Sequence, residues 1–284
     1  MTTRDVLTVD AAGGQLGGWI TGAGPPALLL HGGPGLSFEY LDELGDELAT
    51  DFRVAAYQQR GLAPSTTDGP FTVAQAVDDA VAVLDALKWE QAFVVGHSWG
   101  GQLALRLLAA RPDRVTGALA VDPLGVAGDG GLAAFEAEMG ARTARDERKR
   151  ARELDDRAMA GQGTPEDFLE SLRLAWPAYF ADPENVPPMP PMRLSAEAYS
   201  GIINDVTEDI DRVAAALAET DVPYGVLAGG ASPMPWGQAA RATVDLSPHA
   251  FLKVVAAAGH FPWLDEPGCV REALIRLAAA RARA

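Results

Sequence analysis

The feature that most constrains this chain is a series of short, continuous apolar runs. They are "ALLL" (Ala27–Leu30), "RVAAY" (Arg53–Tyr57), "AFVVG" (Ala92–Gly96), "GALAV" (Gly117–Val121), "YGVLA" (Tyr224–Ala228) and "FLKVV" (Phe251–Val255), most of them separated by helical patterns such as "TVAQAVDDAVAVLDAL" and "GGQLALRLLAARP". A strand that is apolar at every position has both faces buried, and intervening helices supply the covering layers. The expected fold class is therefore α/β, with a mostly parallel central sheet flanked by helices. Ahead of these runs, two alternating segments, Arg4–Val9 and Leu16–Thr21, flank the "DAAGG" turn and read as an antiparallel hairpin.

The alternation stops between Val121 and Tyr224, where no strand pattern occurs. That interval opens with "GGLAAFEAEMGARTARDERKRARELDDRAMAG", continues through "TPEDFLESLRLAWPAYF", with Thr164 and Pro165 as a helix start, and ends in the proline-rich "NVPPMPPM". The charge run "ARDERKRARELDDR" mixes signs as a solvated helix face does. The expected organisation is a core domain over 1–124, a helical cap over 125–205, and a return to the core over 206–284, where "TEDIDRVAAALAET" covers the sheet again.

Composition narrows the partners. A chain of 284 residues that is 48% hydrophobic can bury one large core. Its formal net charge of -16 repels nucleic acid and anionic membrane surfaces, leaving a small-molecule substrate as the expected partner. The single cysteine, Cys269, has no internal disulfide partner and sits at helical spacing, as a buried thiol does. "MTTRDVLTVD" has neither the basic start nor the apolar stretch of a signal peptide, so a cytoplasmic location is expected. Four scattered histidines give no metal-ligand spacing, and "GGPG" lacks the lysine and hydroxyl of a phosphate loop, so no cofactor or metal is expected.

Two motifs carry chemistry. In "FVVGHSWGG" a buried strand, Gly-x-Ser-x-Gly and a helix follow one another, the arrangement that builds a nucleophile elbow and forces Ser98 into a strained, exposed turn. In "LLLHGGPG" glycine-rich backbone directly follows a strand, where amide donors can meet a developing oxyanion. Gly33 and Trp99 are the expected donors, with His31 bracing the loop.

These motifs resemble the α/β-hydrolase family and, within it, the proline iminopeptidase-like branch. The residues that carry the resemblance are "HGGPG" (His31–Gly35), "YQQRGLAPS" (Tyr57–Ser65), "GHSWGG" (Gly96–Gly101) and "AGHFPWLDEP" (Ala258–Pro267). The chain departs from the branch at Gln58, where Asp is usual, and at Leu62–Pro64, which lacks a second glycine.

A serine nucleophile needs an imidazole to take its proton and pass it on. His260, in the loop after the last strand, is the expected base and also the one the resemblance implies. His97 would point to the other side of its turn, and His249 lies in a surface turn. The acid is the irregular member. The family usually carries Gly-x-x-Asp after the penultimate strand, whereas this chain has Gly229-Gly230-Ala231-Ser232, and no Asp or Glu occurs from Val222 through Val244. Asp122 lies between serine and histidine in chain order, at the end of the strand that follows the elbow helix and on the same side as Ser98, so it is the expected replacement. Asp129 is a weaker candidate, while Asp265 and Glu266 fit helix capping.

The expected function is a serine hydrolase that cleaves an ester, lactone or related acyl bond of a small, largely apolar substrate through an acyl-enzyme. Trp176, Tyr179, Phe180, Met189, Met192 and Tyr199 are candidates to line the substrate site. One alternative is an iminopeptidase-like aminopeptidase, with Glu136, Glu138, Glu166 and Glu170 available to hold an amine. Another is a non-hydrolytic binding protein on the same fold.

Overall fold

In a computed structural model, which describes residues 3–159 and 162–281, the apolar runs become strands of one sheet. The strands are β1 Asp5–Ala11, β2 Gly14–Thr21, β3 Pro26–Leu30, β4 Arg53–Tyr57, β5 Ala92–His97, β6 Val115–Val121, β7 Tyr224–Gly229 and β8 Ala250–Val255. Their order is β1-β2-β4-β3-β5-β6-β7-β8. The opening hairpin pairs antiparallel with itself and with β4, and every later pairing is parallel. Leu28, Leu30 and Val94 face one apolar cluster, and Leu29 and Val95 face the other, as expected of strands buried on both sides.

The helices are α1 Asp42–Leu48, α2 Val73–Ala86, α3 Trp99–Ala110, α4 Leu132–Arg142, α5 Arg145–Met159, α6 Pro165–Ala175, α7 Ala196–Asp205, α8 Ile210–Glu219, α9 Ala242–Val244, α10 Pro262–Asp265 and α11 Cys269–Arg281. Leu84, Leu103 and Leu217, from α2, α3 and α8, fill the first cluster, whereas Leu44 and Leu274, from α1 and α11, fill the second. The segment "TEDIDRVAAALAET" thus supplies a covering helix, α8. The mixed-sign run forms α5, whose Arg150 and Arg157 pair with Glu170 and Asp167 of α6 on an exposed face. Ala160 and Gly161, which end the longer stretch that begins at Gly130, lie outside the described residues. An extended Thr143 separates α4 from α5, and Thr164 with Asp167 forms a capping box that starts α6. Among the described residues, no helix is long and apolar enough to cross a membrane.

The topology decides where chemistry collects. Parallel pairing of β3, β5, β6, β7 and β8 brings their carboxyl ends to a single edge, and strand order changes direction between β3 and β5. Clefts open at such switch points. His31, Ser98, Asp122, Gly230 and the loop leading to His260 all leave the sheet there.

Candidate active site

Ser98 sits between β5 and α3 with φ 55° and ψ −120°, a conformation costly for a residue with a side chain. Its turn closes because Gly96 and Gly100 lie in contact; a Cβ on Gly96 would strike the Gly100 carbonyl, and one on Gly100 the carbonyls of Leu30 and His31. The "HGGPG" loop lies directly on this turn, since a Cβ on Gly32 would come within 2.8 Å of the Ser98 Cβ. Gly33, with φ 63°, Ser98 and Trp99 line one cavity of about 750 Å3. Among the described residues, neither the Gly33 nor the Trp99 N–H is taken by a protein acceptor, and Ser98 Oγ makes no hydrogen bond.

Asp122 follows β6 and is also in a left-handed conformation, with φ 47°. Its carboxylate is buried and accepts three hydrogen bonds. Oδ1 takes the Gly229 N–H at 2.8 Å, and Oδ2 takes the Ser232 hydroxyl at 2.5 Å and meets His260 Nδ1 at 2.7 Å. Ser232 therefore stands against Asp122 and not against the imidazole, and it also accepts the Met234 N–H. Burial disfavours charge on both members of the pair. It pushes the Asp122 carboxyl up to about 8, against the pull of Ser232 and Gly229, and the His260 imidazole down to about 3.

His260 is held from several sides. Its backbone N–H donates to the Tyr179 carbonyl at 2.8 Å, and its carbonyl is 2.8 Å from His97 Nε2. A carbonyl only accepts, so His97 carries its proton on Nε2 and presents a bare Nδ1 to the Tyr40 hydroxyl at 2.9 Å. Tyr40 Oη in turn accepts the Gly32 N–H at 2.6 Å. His97 thus bridges the Gly32–Gly33 loop and the His260 loop, a role its neighbour position in sequence gives no sign of. Burial, and the nearby His260 charge, keep its pKa well below the usual histidine range.

The remaining acids and histidines have identifiable work. Asp129 accepts the N–H groups of Gly131 and Ala133 at the start of α4, and Asp265 accepts the Gly259 N–H beside His260. His31 Nε2 accepts the Gln59 N–H, its Nδ1 donates to Gly32 O, and burial lowers its pKa to about 4. Gln59 carries this brace further, accepting the Trp99 indole N–H at 2.8 Å and donating to His31 O at 2.9 Å. The Cys269 thiol is buried, which pushes it up to about 12.

Of the six side chains expected around a substrate, Tyr179 and Tyr199 line the cavity, whereas Met192 packs against the second apolar cluster. Trp176, Phe180 and Met189 pack elsewhere, which corrects that expectation. Trp176 and Phe180 stack with Phe261 in the second apolar cluster, where the Trp176 indole N–H reaches Pro187 O, and Met189 packs against the same cluster. The rest of the apolar wall comes from residues such as Leu132, Phe135, Met139, Phe168 and Ile203. Glu136 also lines the cavity, whereas Glu138 and Glu170 are paired with Arg142 and Arg150 and Glu166 is exposed.

A family model described as the alpha/beta hydrolase fold matches residues 25–267. The chain belongs to the α/β-hydrolase fold family. Among curated α/β-hydrolase relatives, epoxide hydrolase B of Mycobacterium tuberculosis is 35% identical over 101 residues, 34% of this chain and 28% of that protein. The 2-hydroxymuconate semialdehyde hydrolase of a Pseudomonas species is 41% identical over 99 residues, 34% of this chain and 35% of that one. The chain thus spans about a third of the length of these curated relatives. The crystal structure of VinJ shares the α/β-hydrolase architecture at a TM-score of 0.73, with 22% identity over 97% of this chain and 99% of that one.

Proposed function

We propose that this chain is a serine hydrolase acting on an ester, lactone or related acyl bond of a small, largely apolar molecule. The observation that carries the reading is the Asp122–His260 hydrogen bond of 2.7 Å, reached from the strand end beside the one that bears Ser98. An orienting carboxylate on Nδ1 fixes the tautomer and leaves Nε2 bare to take a proton. In the proposed reaction Ser98 Oγ attacks the carbonyl carbon and its proton passes to His260 Nε2. The negative oxygen is met by the Gly33 and Trp99 amides, and the leaving group departs with the proton. Water, deprotonated by His260, then releases the acid and restores Ser98. No hydrogen bond joins Ser98 to His260 among the described residues, and on this reading the contact forms when substrate is bound.

The mostly apolar wall supports an apolar acyl or alcohol portion. Helices α4 to α7 supply much of it, which supports residues 125–205 as a cap over the core. A second reading, an aminopeptidase of the proline iminopeptidase-like kind, draws on Glu136, an acidic residue that lines the same cavity and could pair with a free amine. Fluorophosphonate labelling tests the common chemistry: Ser98 is expected to be modified and Ser98→Ala to abolish labelling. An unlabelled native chain would count against both readings. Comparison of p-nitrophenyl esters with proline-linked amide substrates separates them, with faster ester turnover expected.

A further inference from the structure

Arg142 lies in the last turn of α4, far from the sheet in sequence, yet its guanidinium converges on the turn that lacks the usual acid. One terminal nitrogen donates to Ala231 O at 2.6 Å and to Ala178 O at 3.4 Å, and the other donates to Ser232 O at 3.4 Å. Its Nε is held by Glu138 at 2.7 Å. Ala178 precedes the residue whose carbonyl holds the His260 N–H, and Ser232 donates to Asp122. One side chain from the inserted helices therefore touches the backbone on both sides of the Asp122–His260 pair.

We propose that Arg142 is a positioning residue: it pins the Ala231–Ser232 turn against Asp122 and supplies a nearby cation to the Asp122–His260 pair, so that the centre depends on a helix of the insert. The inference rests on the reading of Asp122 as the orienting acid. The groups facing Asp122 are His260 from the loop after β8, Ser232 and the Gly229 N–H from the turn after β7, and Arg142 from α4; His97 and Tyr179 lie against the far side of His260. Ser232 and Gly229 stabilise the carboxylate through neutral dipoles. Arg142 adds a full charge that acts in the same direction as these dipoles, though more weakly than either. A carboxylate moved away from its usual turn has thus kept that turn as a donor platform, and Arg142 tightens the platform from above.

The test is the pH dependence of p-nitrophenyl ester hydrolysis in Arg142→Met, Arg142→Lys and Glu138→Gln. Arg142→Met is expected to move the rising limb due to Asp122 upward by about one pH unit, which lowers kcat/KM near neutral pH ~10-fold. The loss should lie in kcat and vanish on the alkaline plateau, with KM within about twofold, because Arg142 does not line the cavity. Arg142→Lys, which keeps the charge and loses the fork, should hold the limb nearer its native place. Glu138→Gln removes the competing anion and should move the limb the other way, and it carries the test if Arg142→Met does not fold. An unmoved limb, or an equal loss at every pH, overturns the inference while an inactive Asp122→Asn leaves the acid assignment standing. Native turnover in Asp122→Asn overturns the assignment and the inference together.

Discussion

Asp122 Oδ2 and His260 Nδ1 lie 2.7 Å apart across 138 residues of sequence, and the serine that occupies the usual acid turn donates to that same oxygen. The proposed acid therefore sits at the end of β6. The end of β7 and the turn after it supply two of the three donors that hold it.

Asp122→Asn separates charge from geometry. The amide can turn its NH2 toward His260, keep its oxygen on the Gly229 N–H, and let the Ser232 hydroxyl rotate to accept. The imidazole is then left with its proton on Nε2, the wrong tautomer for a base. Turnover is expected to fall by ~10^4 with the fold intact. Steady-state kinetics on an activated ester checks this, and a rate within tenfold of the native chain would remove Asp122 from the centre.

Stability should peak near pH 6.5. His31 and His260 have native pKa values of about 4 and about 3, and that of His97 is also far below its ordinary value, so on acidification the unfolded chain takes up protons that the native chain refuses. Their contribution is present above pH 6.5 and is lost as pH falls, with a slope of about 1.4 kcal/mol per pH unit for each group. Asp122 acts oppositely. Its native value of about 8 exceeds 3.8, so its neutral form favours the native state and stability declines as pH rises between those values. Thermal melts from pH 4 to 9 should show the maximum, and Asp122→Asn should flatten the alkaline side. A steeper alkaline decline in the variant would contradict the burial argument.

Activity should run against that alkaline decline. Ionised Asp122 and neutral His260 are both required, and His260 is neutral far below neutral pH, so the limb that limits the rate belongs to the carboxyl. The value of kcat/KM is expected to climb with pH through about 8. A profile flat from pH 6 to 9 would show that Asp122 ionises earlier than its burial implies.

Tyr40→Phe removes the atom that joins Gly32 to His97. A buried N–H and a buried imidazole nitrogen lose their partner, which should cost about 1–3 kcal/mol in stability. The loops of Gly33 and His260 also lose their common tie, so kcat should drop roughly tenfold while KM changes little. Native kcat together with a lowered melting temperature would make the bridge purely structural.

Gly100→Ala would place a methyl group into the carbonyls of Leu30 and His31, both backbone and unable to yield. Destabilisation of about 3 kcal/mol or more is expected, with loss of Ser98 labelling. A variant that melts and labels like the native chain would mean that the elbow packs less tightly than described.

The sheet is legible in the sequence because its hairpin strands alternate, its parallel strands are mostly apolar runs, and helical patterns separate most of those runs; Ala27–Leu30 and Tyr224–Ala228 fall inside β3 and β7. The position of Asp122 is legible too, since chain order and a strand end are properties of sequence. Tyr40, Gln59 and Arg142 are not. Their hydrogen bonds span 57, 40 and 89 residues, and no local pattern marks a side chain whose purpose is to hold another segment's backbone or ring. Trp176 and Phe180 mislead for a related reason. Their aromatic character says that they will be covered, but the cover is Phe261 and not the cavity.

The chain before the inserted helices holds Gly33, Ser98, Trp99 and Asp122, and only His260 comes from beyond them. With the proposed acid at the end of β6, a cut within residues 125–205 would leave the proposed nucleophile and acid on one fragment and the proposed base alone on the other. On that reading neither piece would turn over by itself, and any activity recovered on mixing would count reassembled molecules, which makes this protein a natural starting point for a two-part complementation reporter.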